Sequence, residues 1–224
     1  MTAVVRAGAV RRRASSYSRV VGQTSVAGHP AGMTHTLTRT IAYSTVVAML
    51  LTLVAVAPAS AGNVTRVSAA EKYAHKLLNC TRTGGFVTKN GSCRGYGSGD
   101  YSARRPALRL HKGISNKVAW PWARALVTHD VCGHVIPGKP TLTQRMRNKG
   151  FRYWYYGENV GCGWSTADAK AVVLATHRAM QAEKKYQGGH WKNIKNRGFK
   201  SVGIGVAMGD GRVMVVWDFY GKRY

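Results

Sequence analysis

The sequence predicts an α+β domain whose mainly antiparallel sheet is covered by helices on both faces, and two observations carry that expectation. First, Lys200–Met208 alternates Val202, Ile204, Val206 and Met208 against Ser201, Gly203, Gly205 and Ala207. Arg212–Tyr220 alternates Val213, Val215, Trp217 and Phe219 against Met214, Val216, Asp218 and Tyr220, and Gly209-Asp210-Gly211 joins the two runs as a hairpin. Second, one face of the first strand is almost flat, which lets a helix approach closely, while both faces of the second strand are largely apolar. A strand apolar on both faces needs cover on both sides.

In chain order, residues 1–61 hold six of the 34 basic residues and none of the eight acidic ones, followed by the apolar run Val46–Val56 and then Ala57-Pro58-Ala59-Ser60-Ala61. This is the pattern of a secretory signal peptide: the run is short for a bilayer span of about 20 residues, and Ala59-Ser60-Ala61 offers the small-x-small site that signal peptidase cleaves. Cleavage is expected after Ala61. A start at Met33 would leave a signal of ordinary length with Arg39 as its positive charge, and would make Arg11-Arg12-Arg13 discarded sequence rather than a twin-arginine signal. The remaining 163 residues suit one domain with its own core. Their formal charge is about +20, which favours anionic partners such as acidic wall polymers, anionic lipid headgroups or nucleic acid. No arginine-rich recognition helix or aromatic-basic repeat marks a specific nucleic-acid motif.

All four cysteines, Cys80, Cys93, Cys132 and Cys162, follow residue 61, and an even count in an exported chain argues for two disulfides. Three connectivities are open. The pairing Cys80–Cys93 with Cys132–Cys162 is favoured because each bridge joins near neighbours, the first closing a Gly-rich loop. No Cys-x-x-Cys supports a zinc–thiolate site.

Ala69–Asn79 is expected as a first helix, with Ser68 as N-cap and Glu71 completing a capping box. Residues 81–105 form an irregular segment held by the Cys80–Cys93 bridge, so residues 62–113 comprise the N-terminal helix and a disulfide-closed excursion. Ser115 or Asn116 opens a second helix that turns Val118, Trp122, Ala125 and Leu126 inward. Thr141–Lys149 is a short basic helix stopped by Gly150. Ser165 is expected to cap the longest helix, whose inward stripe is Ala169, Val172, Thr176, Ala179 and Met180. Glu183 falls within that stripe, and Lys170, His177, Arg178, Gln181, Lys184 and Lys185 would then face solvent. An acid on the inward face needs a partner; if the helix ends near Gln181, Glu183 is a surface residue instead. Gly188-Gly189-His190 opens a short helical segment. Asn63, Asn79 and Asn90 head Asn-x-Ser/Thr triplets.

The most informative stretch is Tyr153-Trp154-Tyr155-Tyr156-Gly157-Glu158-Asn159-Val160-Gly161-Cys162-Gly163, in which a strand-prone aromatic run delivers one of only three glutamates among three glycines. Glu158 is therefore a candidate site residue. The alternative is that Gly157, Gly161 and Gly163 serve positive φ or a bulge at a strand end, with Glu158 in water.

Val118-Ala119-x-x-Trp122, then His134, Gly150-Phe151, Gly157-Glu158-Asn159-Val160, Gly189-His190-Trp191-x-Asn193-Ile194, Val202-Gly203-Ile204-Gly205-Val206-Ala207 and Trp217-Asp218-Phe219 resemble, in order and spacing, the CAP superfamily of cysteine-rich secretory, antigen 5 and pathogenesis-related 1 proteins, in its bacterial secreted form. The resemblance runs over most of residues 114–221 and marks 114–224 as the domain core. It implies a three-layer α-β-α sandwich and a cleft holding two histidines and two acids, which map to His134, Glu158, Glu183 and His190. His129 is the rival for His134, and Met180 stands where the family usually has tryptophan. Two imidazoles with one or two carboxylates form a ligand set for Zn²⁺ or another divalent cation, or a hydrogen-bonded lattice that braces the cleft. No organic cofactor is expected. Two functions follow: a secreted binding module for a lipid or other cell-envelope ligand, or a metal-assisted hydrolase, peptidase or nuclease, with Glu158 as base. No His-Glu-x-x-His helix, Gly-x-Ser-x-Gly elbow or assignable nucleophile is present, which favours the binding module.

Overall fold

A computed structural model describes residues 63–152, 155–165 and 168–221. The expected signal peptide at 1–61, the start of the aromatic run at Tyr153-Trp154, and Thr166-Ala167 lie outside the described residues. In order the elements are β1 (Thr65–Arg66), α1 (Ser68–Arg82), β2 (Phe86–Val87), β3 (Cys93–Arg94), β4 (Arg109–Leu110) and α2 (Lys112–Ile114). A π-helical stretch, Ser115–Ala119, carries α2 directly into α3 (Trp120–Thr128). Then come α4 (Leu142–Asn148), β5 (Tyr155–Trp164), α5 (Ala169–Ala182), a 3₁₀ turn (Glu183–Tyr186), α6 (Gly189–Lys195), β6 (Ser201–Gly209) and β7 (Arg212–Gly221).

The main sheet runs β1-β6-β7-β5, with β4 added parallel to β6 and the other pairs antiparallel. The β6–β7 hairpin turns on Asp210 (φ 50°) and Gly211 (φ 70°), both left-handed as a tight two-residue hairpin requires. Val202, Ile204 and Val206 of β6, with Val213, Val215, Trp217 and Phe219 of β7, pack on α1, α5 and α6 through Ala74, Leu77, Val173, Met180 and Ile194. On the other face Ala207, Met214 and Val216 meet Trp122, Ala123 and Leu126 of α3, while Tyr220 meets Ile114, Val118 and Met146. The result is the α-β-α sandwich. The flat face of β6 has the expected purpose: a Cβ on Gly203 would strike Ile114, and one on Gly205 would strike the backbone of Ala119.

Both disulfides pair as expected, Cys80–Cys93 and Cys132–Cys162, with Cα separations of 5.8 and 6.0 Å. The glycines of β5 serve a different end from either strand-end role. None has positive φ; instead a side chain at Gly161 would strike Thr176 of α5, one at Gly163 would strike Val172, and one at Gly157 would strike Phe199 and Asn193. They let the helical layer lie close on the strand.

Several helix starts differ from the sequence expectation, where a tertiary partner claims the capping group or a nearer residue supplies the cap. Ser68 does not cap α1; Glu71 instead accepts from Arg66 Nε (2.8 Å) and Nη2 (3.0 Å), since β1 brings that guanidinium alongside. The α2–α3 helix begins before Ser115, at Lys112, where His111 Nδ1 accepts the Ile114 N–H, and the Ser115 hydroxyl accepts from the Ile204 N–H of β6. Asp168, not Ser165, caps α5 by accepting from the N–H groups of Lys170 and Ala171. The capping box at Thr141 is formed with Gln144, and Gly150 follows α4 with φ 81°.

The largest departure is on α5, where His177 and Gln181 are buried rather than solvated. Helix α1 covers that side, so α5 has two buried flanks. His177 Nε2 bonds Thr81 Oγ1 at 2.8 Å, and Gln181 exchanges hydrogen bonds with the Val87 backbone at 2.9 and 3.0 Å. Burial pushes the His177 imidazole down to about 3, so it is neutral. Helix α1 also runs on to Arg82, whose buried guanidinium donates to the carbonyls of Pro106, Ile194, Asn196 and Phe199 at 2.7 to 3.0 Å. Asn79 is buried and donates to the Leu108 carbonyl at 3.0 Å, which removes it as a glycan acceptor in the folded protein.

Candidate functional site

The site lies across the outer edge of the sheet at β5. Glu158 faces Asp218 in register and points to the α3 and α4 side, with Val160. Its side chain is 4 % exposed and both oxygens are engaged: Oε1 with His134 Nδ1 at 2.9 Å, and Oε2 with the Arg145 guanidinium. Arg145 projects from α4, bonds the Pro140 carbonyl at 3.3 Å, and lays its guanidinium carbon 3.7 Å from the centroid of the Trp122 ring. The Cys132–Cys162 bridge ties the loop that carries His134 to the strand that carries Glu158.

The second pair is local. Helix α5 ends at Ala182, but Glu183 does not become a free surface acid. Gln187 takes a left-handed conformation (φ 55°) and folds the chain back. Glu183 Oε1 then meets His190 Nδ1 at 2.6 Å, and Oε2 accepts the backbone N–H groups of His190 (3.0 Å) and Trp191 (3.2 Å).

Asparagines join the halves. Asn159 of β5 donates to the His190 carbonyl at 3.2 Å, and Asn193 of α6 donates to the Glu158 carbonyl at 3.1 Å and to Asn159 Oδ1 at 2.9 Å. This mooring brings the His134 and His190 rings to a centroid distance of 6.4 Å with 33° between their planes. The structure thus brings all four sequence-derived residues to one cleft and leaves His129 exposed at the end of α3.

Two residues of this cluster were missed from the sequence. Arg145 looked like one more cation of a basic helix, and nothing nearby in the chain announces its partner. Asp218 could have been found, because it is an acid on a strand with two apolar faces. It is fully buried, directly across the register from Glu158. Burial, then the charge of Glu158, push its carboxyl well above the ordinary range, with Arg145 opposing. The hydrogen bond to Glu158 raises His134, with burial and Arg145 opposing. Burial lowers Arg145, against the pull of Glu158 and Asp218.

Among the described residues no group of three or more His, Cys, Asp or Glu side chains converges tightly enough to hold a metal by itself. The carboxylates grip each imidazole at Nδ1, which in the neutral ring leaves the Nε2 lone pair for a metal, the arrangement in which a carboxylate orients a ligating histidine. With metal–nitrogen bonds of about 2.1 Å and tetrahedral angles, two imidazoles on one ion have centroids about 5 Å apart. The observed 6.4 Å is about 1 Å wider, so the donor types suit a two-histidine site completed by water once the rings close by that much, with Glu158 and Glu183 as orienting groups rather than direct ligands.

Sequence comparison finds no matching family model and no matching curated protein. Structure comparison does find relatives of the fold. An outer surface protein of Borrelia burgdorferi is similar over 73 % of this chain and 99 % of its own, with TM-score 0.50 and 14 % identity. An extracellular SCP-domain protein of Bacillus anthracis is similar over 70 % of this chain, with TM-score 0.46 and 17 % identity; the match spans 41 % of that protein's length. The Borrelia match shows a shared fold. At these identities the likeness speaks for the fold alone, and the cleft has to be interpreted from its own residues. No helix among the described residues is long and apolar enough to cross a membrane.

Proposed function

We propose that this CAP-like protein is an exported binding module whose paired histidines hold a divalent cation and whose cleft, with the groove beside it, takes an anionic lipid or another acidic cell-envelope ligand. The observation that carries this reading is the use of the carboxylates. Glu158 is committed to His134 and Arg145, and Glu183 to His190 and two backbone N–H groups. A cleft wired this way holds two imidazoles in place and leaves neither glutamate free to act as a base, which weighs against the hydrolase with Glu158 in that role.

A divalent cation, when bound, would supply a positive centre with open positions for water or an anionic oxygen. His134 and His190 would hold it; Glu158 and Glu183 would keep their rings oriented. The ligand class is supported by the adjoining groove of about 300 Å³, where Pro121, Trp122 and Pro140 meet a rim of Lys117, Lys139 and Lys149. Arg145 and Trp122 belong to both cleft and groove. An apolar floor with a cationic rim suits an amphiphile with an acidic head.

Metal analysis and mass spectrometry of ligands co-purifying with the secreted protein test the proposal; a bound divalent ion together with an acidic lipid or wall fragment is expected. A hydrolytic activity lost in a folded Glu158→Gln variant would put the hydrolase first. Export is tested by the intact mass of the secreted form, expected to begin at Gly62; a start well away from that residue contradicts it.

A further inference from the structure

One row further along the same face of the sheet, the register sets Arg109 of β4 beside Ser201 of β6, and Ser201 beside Tyr220 of β7. The row of Glu158, Asp218 and Gly203 is the next one. At this end of the sheet the chain leaves β4 and turns at once into α2, which puts His111 and Lys112 over the row. Lys200 precedes β6 on its other side. Together these six residues line a cavity of about 540 Å³, a size that accepts a small-molecule ligand.

The chemistry of the lining is one-sided. Arg109, Lys112 and Lys200 contribute three cations, and among the described residues no acidic side chain lines the cavity. Among the described residues neither Arg109 nor Lys112 has an acidic partner. Like charges gathered in a concave site repel one another and focus a positive potential that an anion relieves. Neutral donors complete the set. His111 Nδ1 accepts the Ile114 N–H at 3.2 Å, which in the neutral ring leaves the proton on Nε2 as a donor. Ser201 in the lining is buried, and the rings of His111 and Tyr220 meet edge to face at a 5.7 Å centroid distance, so the wall is built and not merely a gap between mobile lysines.

We infer that this cavity is a second ligand site, separate from the histidine cleft, and that it takes a phosphate-bearing group. A guanidinium fork with ammonium and hydroxyl donors matches the several acceptor oxygens and the charge of phosphate better than a single carboxylate would. The phosphate could belong to a small phosphorylated molecule or to one repeat of a phosphodiester polymer.

The test is calorimetric titration of the folded secreted protein with inorganic pyrophosphate and, separately, with a poly(glycerol phosphate) of defined length. Both are run on wild type, on Arg109→Ala/Lys112→Ala, and on a control that removes two exposed cations from α5, Lys170→Ala/Arg178→Ala. Retained thermal unfolding transitions show that each variant is folded. Saturable binding that falls about tenfold or more in the cavity variant and less than about twofold in the control supports the site, because loss of two built charge-assisted contacts outweighs loss of diffuse charge. Binding of pyrophosphate identifies a small-molecule source, and binding of the polymer alone identifies a polymer repeat. Absence of binding to both probes, or equal losses in the two variants, overturns the proposal. Glu158→Gln should leave this binding unchanged, which separates it from the reading of the cleft.

Discussion

The two halves of the cleft reach the same result by different routes. The Glu183–His190 half is made within one turn: seven residues separate the partners, and the carboxylate also gathers two backbone N–H groups of the following helix. The Glu158–His134 half is made across the fold, from an edge strand, a loop pinned by Cys132–Cys162, and an arginine on α4 that is itself stacked on Trp122. A local half should survive damage elsewhere in the domain. A tertiary half should fail with any of its supports.

The largest effect is expected from Arg145→Ala. Its side chain is 9 % exposed and its partner Glu158 4 %, and removing one member of a buried ion pair strands the other at a cost of about 3 to 5 kcal/mol. Chemical denaturation should show that loss, with the His190 half intact by its imidazole NMR signals. A loss below about 1 kcal/mol, the value of an exposed pair, would show that Arg145 does not brace the tertiary half.

Next is removal of the Cys132–Cys162 bridge by a double change to alanine. Its sequence separation is 30, against 13 for Cys80–Cys93, so the chain-entropy model gives stability losses of similar size, about 3 to 4 and about 3 kcal/mol. What separates the two variants is the site. Only the first should disturb His134, and equal disturbance of His134 in both variants would refute the local role of the bridge.

This contrast also explains what was legible in the sequence. The hairpin, the flat face of β6, the Gly150 stop after α4 and the Gly188-Gly189-His190 turn rest on neighbours within a few residues, so pattern and spacing reach them. Arg145 and the Arg82 staple owe their roles to partners contributed by other elements, and an arginine in a basic helix looks the same whether it is solvated or buried. The missed second flank of α5 has a similar cause: one apolar stripe was expected, but α1 adds a second contact surface met by His177 and Gln181, whose polarity reads as solvent-facing. Asp218 was the missed residue with a visible signal, an acid on a strand with no polar face.

A pH-graded effect separates the cleft histidines from the buried one. His177 ordinarily titrates near 6.5 but is held at about 3 in the fold. Below pH 6.5 the unfolded chain takes a proton that the folded chain refuses. Its contribution is therefore intact above that pH and falls by up to about 1.4 kcal/mol per pH unit on acidification towards 3. A folded His177→Gln variant should show a shallower acid limb in stability against pH. An unchanged limb would mean that His177 is not the group responsible.

The central claim is that two separately built histidines serve one ion, and a double-mutant cycle on zinc binding tests it most directly. Titration calorimetry on wild type, His134→Ala, His190→Ala and the double variant should give one site in wild type. Each single change should bring the affinity close to that of the double, so that the losses are strongly non-additive. Losses that add, or wild-type protein that takes up no zinc, would contradict the account and leave the four groups with only the bracing of the cleft.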